Sequence, residues 1–185
     1  MHSACPCHHA AWMLSPQKHR SIHDAWMHGR RVPASLWPAV DDATVTVFAR
    51  SRMASVRFAH QVSRSLQYEA GHDMATMPSD LRGANRERLE AILRIEGRRA
   101  VGFVVTLLSN ETRQHVRDDG LERVAVLGIW VCHSRRRSGL GVDLVHAVQV
   151  ARDVPENELA WVYPISEAGL ALAKKFAIDG QIWIH

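Results

Sequence analysis

Val126-Leu-Gly-Ile-Trp-Val-Cys-His-Ser-Arg-Arg-Arg-Ser-Gly-Leu-Gly141 is the stretch on which the reading of this chain turns. A β-branched and aromatic run, Ile129, Trp130 and Val131, leads into a basic turn, and Gly139, Leu140 and Gly141 open an apolar segment of helical character. That order puts a cluster of backbone N–H groups and the three arginines Arg135, Arg136 and Arg137 at a helix N-terminus. The first N–H groups of a helix have no partner inside it, and the helix dipole is positive there. The turn is therefore expected to hold an anion, most often a phosphate. A nucleotide, a nucleic-acid backbone and the pyrophosphate of coenzyme A all qualify. The turn has neither the lysine-serine pair of a P-loop nor a G-x-G-x-x-G, which removes both glycine-based nucleotide fingerprints.

The rest of the composition narrows the class. With 185 residues, 46% hydrophobic and 23% charged, the chain suits one medium domain plus a small appendage, as a soluble globular protein with its own core. A net charge of +4 favours acidic partners only weakly. No run approaches the roughly 20 apolar residues of a membrane span, and the N-terminus lacks the apolar core of a signal peptide. Three cysteines cannot build a disulfide framework, so a reducing compartment is expected. Histidine is unevenly spread: His2, His8, His9, His19, His23 and His28 share the first 28 residues with Cys5 and Cys7. A metal site is the expectation there, and a disordered histidine-rich tail is the alternative.

Local patterns give the element order. Gly29–Asp42, with Pro33 and Pro38, reads as a linker of little regular structure. Thr44–Ala49 alternates as a strand, and Phe58, Val62 and Leu66 mark one helix face that Gly71 stops. Residues 91–95 and 100–108 are two β-rich runs joined by Glu96-Gly97-Arg98-Arg99, which predicts a hairpin. A charged loop over 110–120 precedes a strand at 123–131. The helix over 139–151 is apolar almost all round and is expected to be substantially buried. A strand at 157–163, an amphipathic helix at 166–177 and a strand at 181–184 complete a mixed α/β domain.

Arg136-x-x-Gly139-x-Gly141 after a strand resembles the acyl-CoA turn of the GCN5-related N-acetyltransferases. The surrounding text resembles one branch of them, the cohesin acetyltransferases. It carries Gly128-Ile129-Trp130-Val131, Arg136-Arg137, Glu158-Leu159-Ala160-Trp161, Pro164, Gly169 and Ala171-Leu172-Ala173-Lys174-Lys175-Phe176, with Ile95–Phe103 resembling the family's hairpin. His19-Arg-Ser-Ile-His23 resembles the second ligand pair of that family's small zinc finger. The resemblance implies a GCN5-related N-acetyltransferase fold over 44–185, a zinc-finger-like unit over 1–29 and a linker over 30–43. It also implies transfer of acetyl from acetyl-CoA to a lysine of a cohesin SMC subunit, in the nucleus and on the chromosome. Because the chain starts almost at the finger, it lacks the long N-terminal arm of many relatives, so recruitment comes from elsewhere or the chain is a fragment.

Site residues follow from the same resemblance. Acetyl-CoA would lie on Trp130, Val131, Cys132, Arg136, Arg137, Ser138, Gly139, Leu140 and Gly141, with pantetheine amides pairing along Trp130 to Cys132. Zn²⁺ would take Cys5, Cys7, His19 and His23, with His8 as a substitute for one cysteine. The family's strand-end Ser-Asp pair is replaced here by Val162-Tyr163, and its helix glutamate by His146. His146 then stands as proton acceptor and Tyr163 as acid toward the CoA sulfur; a core histidine and a packed strand-end aromatic are the competing readings. Cys132 is read as a buried filler rather than a nucleophile. Two other functions stay open: a catalytically silent acetyl-CoA-binding adaptor, and a zinc-finger nucleic-acid binder.

Overall fold

Gly97 and Arg98 both have positive φ, 52° and 63°. That pair of conformations suits a two-residue hairpin turn, because its twist matches the strands it joins. The turn links β3 (Leu89–Glu96) to β4 (Arg99–Ser109), the central antiparallel pair of the sheet and the hairpin that the sequence predicts. The computed structural model describes residues 15–36, 44–48, 51, 53–70, 89–109, 123–155, 158–162, 166–177 and 183–184.

Around this hairpin run α1 (Pro16–His28), β1 (Arg30–Arg31), β2 (Thr44–Phe48), α2 (Met53–Ala70), β5 (Arg123–Val131), α3 (Leu140–Arg152), β6 (Leu159–Trp161), α4 (Glu167–Ala173) and β7 (Trp183–Ile184). The sheet order is β2-β3-β4-β5-β6-β7, with β1 pairing on β4. Pairing is antiparallel from β2 to β5 and parallel from β5 to β7.

Strand alternation sorts the apolar residues to two faces. Ala91, Leu93, Ile95, Phe103 and Val105 pack with Val56, Phe58 and Val62 of α2. Ile92, Val104, Val124 and Val126 pack on the other face with Leu144, Val145 and Val148 of α3 and with Ala173 and Phe176. Each buried Val, Leu, Ile or Phe among them contributes about 1.5–3 kcal/mol. The expectation that α3 is substantially buried holds toward the sheet, where Val142 and Ala147 also pack partly against the cluster. Its buried positions are Leu140, Leu144, Val145 and Val148, whereas Val150 is 84% exposed.

The stretch read as a linker of little regular structure contributes β1, in which Arg30 pairs with Ala100 and Arg31 with Arg99. Gly29 ends α1 at φ 84°, and its missing Cβ allows the close approach: a Cβ there would lie 2.5 Å from the Ala100 carbonyl oxygen. Arg99 reaches back to Asp24 through both guanidinium nitrogens, at 2.9 and 3.2 Å, and to the Gly29 carbonyl at 2.7 Å. The Arg99 hydrogen bond holds the Asp24 carboxyl below the usual carboxylate range. α1 is thus fastened to the sheet at its C-terminal half.

One acid is buried among the apolar residues. Glu90 on β3 is fully buried and meets Arg152 of α3 at 2.6 Å, without the alignment of a hydrogen bond. Burial pushes the Glu90 carboxyl up, and Arg152 opposes the shift. A group whose folded pKa exceeds its unfolded value stabilises the fold at low pH and loses that contribution as pH rises through the folded value. Glu90→Gln removes this titration. Its thermal midpoint should therefore gain on that of the natural protein as pH rises above the ordinary carboxylate range. Melting both proteins between about pH 4 and about pH 8 checks this; a constant difference would contradict it.

Candidate functional site

The site begins with an extra residue. In the β4–β5 register Val105 faces Gly128 and Thr106 faces Val126, so Leu127 has no partner on β4. Such a bulge bends its strand and ends regular pairing. On its other edge β5 pairs with β6 only over Val124, Ala125 and Val126, and the Val162 N–H donates to the Val126 carbonyl at 3.1 Å. Beyond Val126, β5 continues to Val131 with β4 on one side and no described strand on the other. The described β5–β6 pairing ends there, with β6 itself at Trp161.

Backbone direction along this edge follows from one bond. The Cys132 N–H donates to the Val101 carbonyl at 2.8 Å. Antiparallel alternation then turns the Trp130 groups toward β4 and those of Ile129 and Val131 toward the open edge. Arg136 Nε donates to the Val131 carbonyl at 3.1 Å, consistent with that direction. Of the residues expected to pair with pantetheine, Trp130 and Cys132 therefore spend their amides on β4. Val131 presents its N–H to the open edge, and Ile129, which the sequence reading omitted, presents both backbone groups.

The turn after β5 carries its strain in two places. Arg137 has φ 63° and Gly139 φ 90°. A left-handed conformation at a non-glycine residue costs about 1–2 kcal/mol. Alternation of hand along the chain makes successive N–H groups converge, which is how backbone nests hold anions. The amides of Arg135 and Arg136 are used within the turn, and those of Val142 and Asp143 donate to the Gly139 carbonyl. The amides of Arg137, Ser138, Gly139, Leu140 and Gly141 between them donate to no backbone carbonyl among the described residues. Apart from its own chain neighbours, no described residue lies within 4 Å of where a Cβ on Gly139 would sit. Glycine is needed there for its φ, and the space above it stays open. The arrangement fits a pyrophosphate.

The three arginines divide their work. Arg135 pairs with Glu96. Arg136 points inward: it donates to Glu69 of α2 and to Val131, and its guanidinium lies 5.9 Å from the Trp26 ring centroid. Glu69 also accepts from the Trp130 indole at 3.0 Å. Arg137 is exposed and has no acidic partner among the described residues. The side chain of Arg136, expected to face the ligand, is committed to fixing the turn, and Arg137 remains to meet an anion. Glu69 gave no local signal in the sequence, because its role depends on α2 lying against the end of β5.

The other expected site residues are placed as follows. Cys132 is fully buried, its sulfur lies 3.7 Å from the Ser134 hydroxyl, and burial pushes the thiol pKa up. It is a protonated filler, as expected. His146 is exposed on α3 with its ring edge 5.4 Å from Phe176, so the core-histidine reading does not hold. Tyr163, Cys5, Cys7 and His8 lie outside the described residues. His19 and His23 lie one turn apart on α1, the spacing that lets two imidazoles reach one ion. Among the described residues, no group of three or more potential ligands gathers into a metal site.

The overall fold is similar to that of solved N-acetyltransferases of the GCN5-related kind. A predicted acetyltransferase from Clostridium acetobutylicum with acetyl-CoA superposes at a TM-score of 0.51 and 8% identity, over 74% of this chain and 89% of that one. An aminoglycoside N-acetyltransferase in complex with CoA gives 0.50 and 14%, over 74% and 91%. An aminoglycoside 6'-N-acetyltransferase from Acinetobacter haemolyticus gives 0.41 and 15%; there the match spans 50% of this chain and 64% of that enzyme. No protein-family model matches the chain, and no curated protein matches it in sequence.

The division among arginines has a measurable consequence. Glu69→Ala strands the Arg136 guanidinium and the Trp130 indole together and should cost about 2–3 kcal/mol of stability. Arg137→Ala should cost less than about 0.5 kcal/mol. Urea unfolding of the two variants checks the order; equal losses would contradict the assignment.

Proposed function

We propose that this chain is an acetyl-CoA-dependent protein-lysine N-acetyltransferase, acting on a cohesin SMC subunit at chromosomes in the nucleus. The observation that carries the cofactor half is the pairing of an opened β5 edge with a turn of five uncommitted amides. The acceptor, partner and location rest on the sequence resemblance around Ile129-Trp130-Val131, Glu158–Trp161 and Ala171–Phe176.

In this reading the pyrophosphate of acetyl-CoA lies on the amides of Arg137 to Gly141, with Arg137 beside it. Pantetheine pairs with Ile129 and Val131 as a missing strand would. The acetyl group then sits where the described β5–β6 pairing ends. A neutral lysine amine attacks the thioester carbonyl, the new C–N bond forms as the C–S bond breaks, and the departing sulfur takes a proton. His146 is assigned the amine's proton, and its exposure lets it exchange that proton with water. Tyr163 follows Val162 in the chain, directly after the last described contact between β6 and β5, and is assigned the proton to sulfur.

Zn²⁺ belongs to the same proposal, held by Cys5, Cys7, His19 and His23, with His8 able to replace one cysteine. The spacing of His19 and His23 on α1 supports it. The nucleic-acid reading is less well supported, because Arg135 and Arg136 spend their charge on Glu96 and Glu69.

The test is transfer of radiolabelled acetyl from acetyl-CoA to a cohesin head, with the natural chain, His146→Ala and Tyr163→Phe. Label should reach lysine, and each substitution should slow it about 10²–10⁴-fold. Full activity in both variants would remove the two role assignments. Cofactor binding without transfer would leave the silent adaptor.

A further inference from the structure

We propose that Trp26 is a positioning residue for the anion turn, coupling α1 to the site that takes the CoA pyrophosphate. The proposal rests on the cofactor reading given above. The C-terminal half of α1 moves with the sheet, because Gly29 lies against Ala100, Arg99 grips Asp24, and Arg30 and Arg31 pair with β4. From this anchored helix Trp26, 5% exposed, reaches across the start of the turn. Its ring stacks on His133 at 4.4 Å between centroids and 24° between planes. The Arg136 guanidinium lies against the same indole at 5.9 Å while its nitrogens hold Glu69 and the Val131 carbonyl.

The turn has little of its own to hold it. Within it, Arg135 N–H donates to Cys132, Arg136 N–H to His133 at 3.3 Å, and the Ser138 hydroxyl to the Arg135 carbonyl at 2.6 Å. These bonds must sustain a left-handed Arg137. External support therefore decides whether the amides of residues 137–141 converge. Trp26 gives that support through His133, which opens the 3-10 turn His133–Arg135, and Arg136, which follows it. Neither Trp26 Nε1 nor His133 Nδ1 has a hydrogen-bond partner among the described residues, so stacking and burial make this contact. Phenylalanine can therefore replace the indole without losing a hydrogen bond.

Coupling between two sites is reciprocal. If Trp26 favours the ligand-receptive turn, ligand in the turn must steady α1. Titration calorimetry of the full chain with CoA should show Trp26→Ala weakening binding about tenfold and Trp26→Phe recovering most of it. In the unsubstituted chain, CoA should slow amide hydrogen exchange at Ala25 to Gly29, a readout that needs no variant. A purely structural role would lower the unfolding midpoint of Trp26→Ala and leave its CoA affinity within about twofold. That result, or CoA binding with unchanged exchange in α1, overturns this proposal alone. A natural chain that binds no CoA overturns the cofactor reading, and this proposal with it.

Discussion

Leu127 is one residue more than β4 can pair, and the site is arranged around that surplus. The bulge falls just past the last described contact of β5 with β6, and no described strand accompanies β5 on that edge from there to Val131. Among the described residues, that edge of β5 has no strand beside it. An exposed edge is a liability unless something pairs with it. The chain that follows turns this liability to use: the same strand delivers the turn, and the turn delivers α3, whose N-terminal amides lie at the end of that edge. A ligand with a strand-like middle and an anionic end matches both features at once.

The three arginines show how little a charge count says about a site. They look equivalent in the sequence, yet Glu96 and Glu69 take two of them. Arg136 is best understood as part of the frame, because it joins α2, β5 and the indole of α1 in one contact group. Glu69 is the centre of that group, since it also holds the Trp130 indole. The fold thus uses one buried-edge carboxylate to set the angle of the turn, and leaves the backbone to meet the anion.

Much of this was legible in the sequence, for definable reasons. The hairpin was, because Gly97 and Arg98 sit between two β-branched runs and only a short turn fits. The anion turn was, because Gly139 and Gly141 mark the start of α3 after a strand. The burial of α3 was legible from its apolar run, but not which apolar residue stays outside: Val150 is exposed while Leu144, Val145 and Val148 are buried and Val142 packs partly against them, and composition carries no direction. β1 was hidden because two arginines carry no strand signal and pair only through their backbone with Ala100 and Arg99. Glu69 and Trp26 were hidden too, since each acts across more than sixty residues of chain. Which atoms of β5 face the opening depended on a bulge that no residue pattern announced.

The central claim is that the opened β5 edge and the amides of the turn together bind one acetyl-CoA molecule. Backbone amide chemical shifts of the full chain, recorded as acetyl-CoA is added, test it most directly. The account predicts saturable shifts concentrated at Ile129, Val131 and Arg137 to Gly141, with β2 and β3 little changed. Absence of shifts at saturating ligand, or shifts centred elsewhere on the sheet, would contradict it.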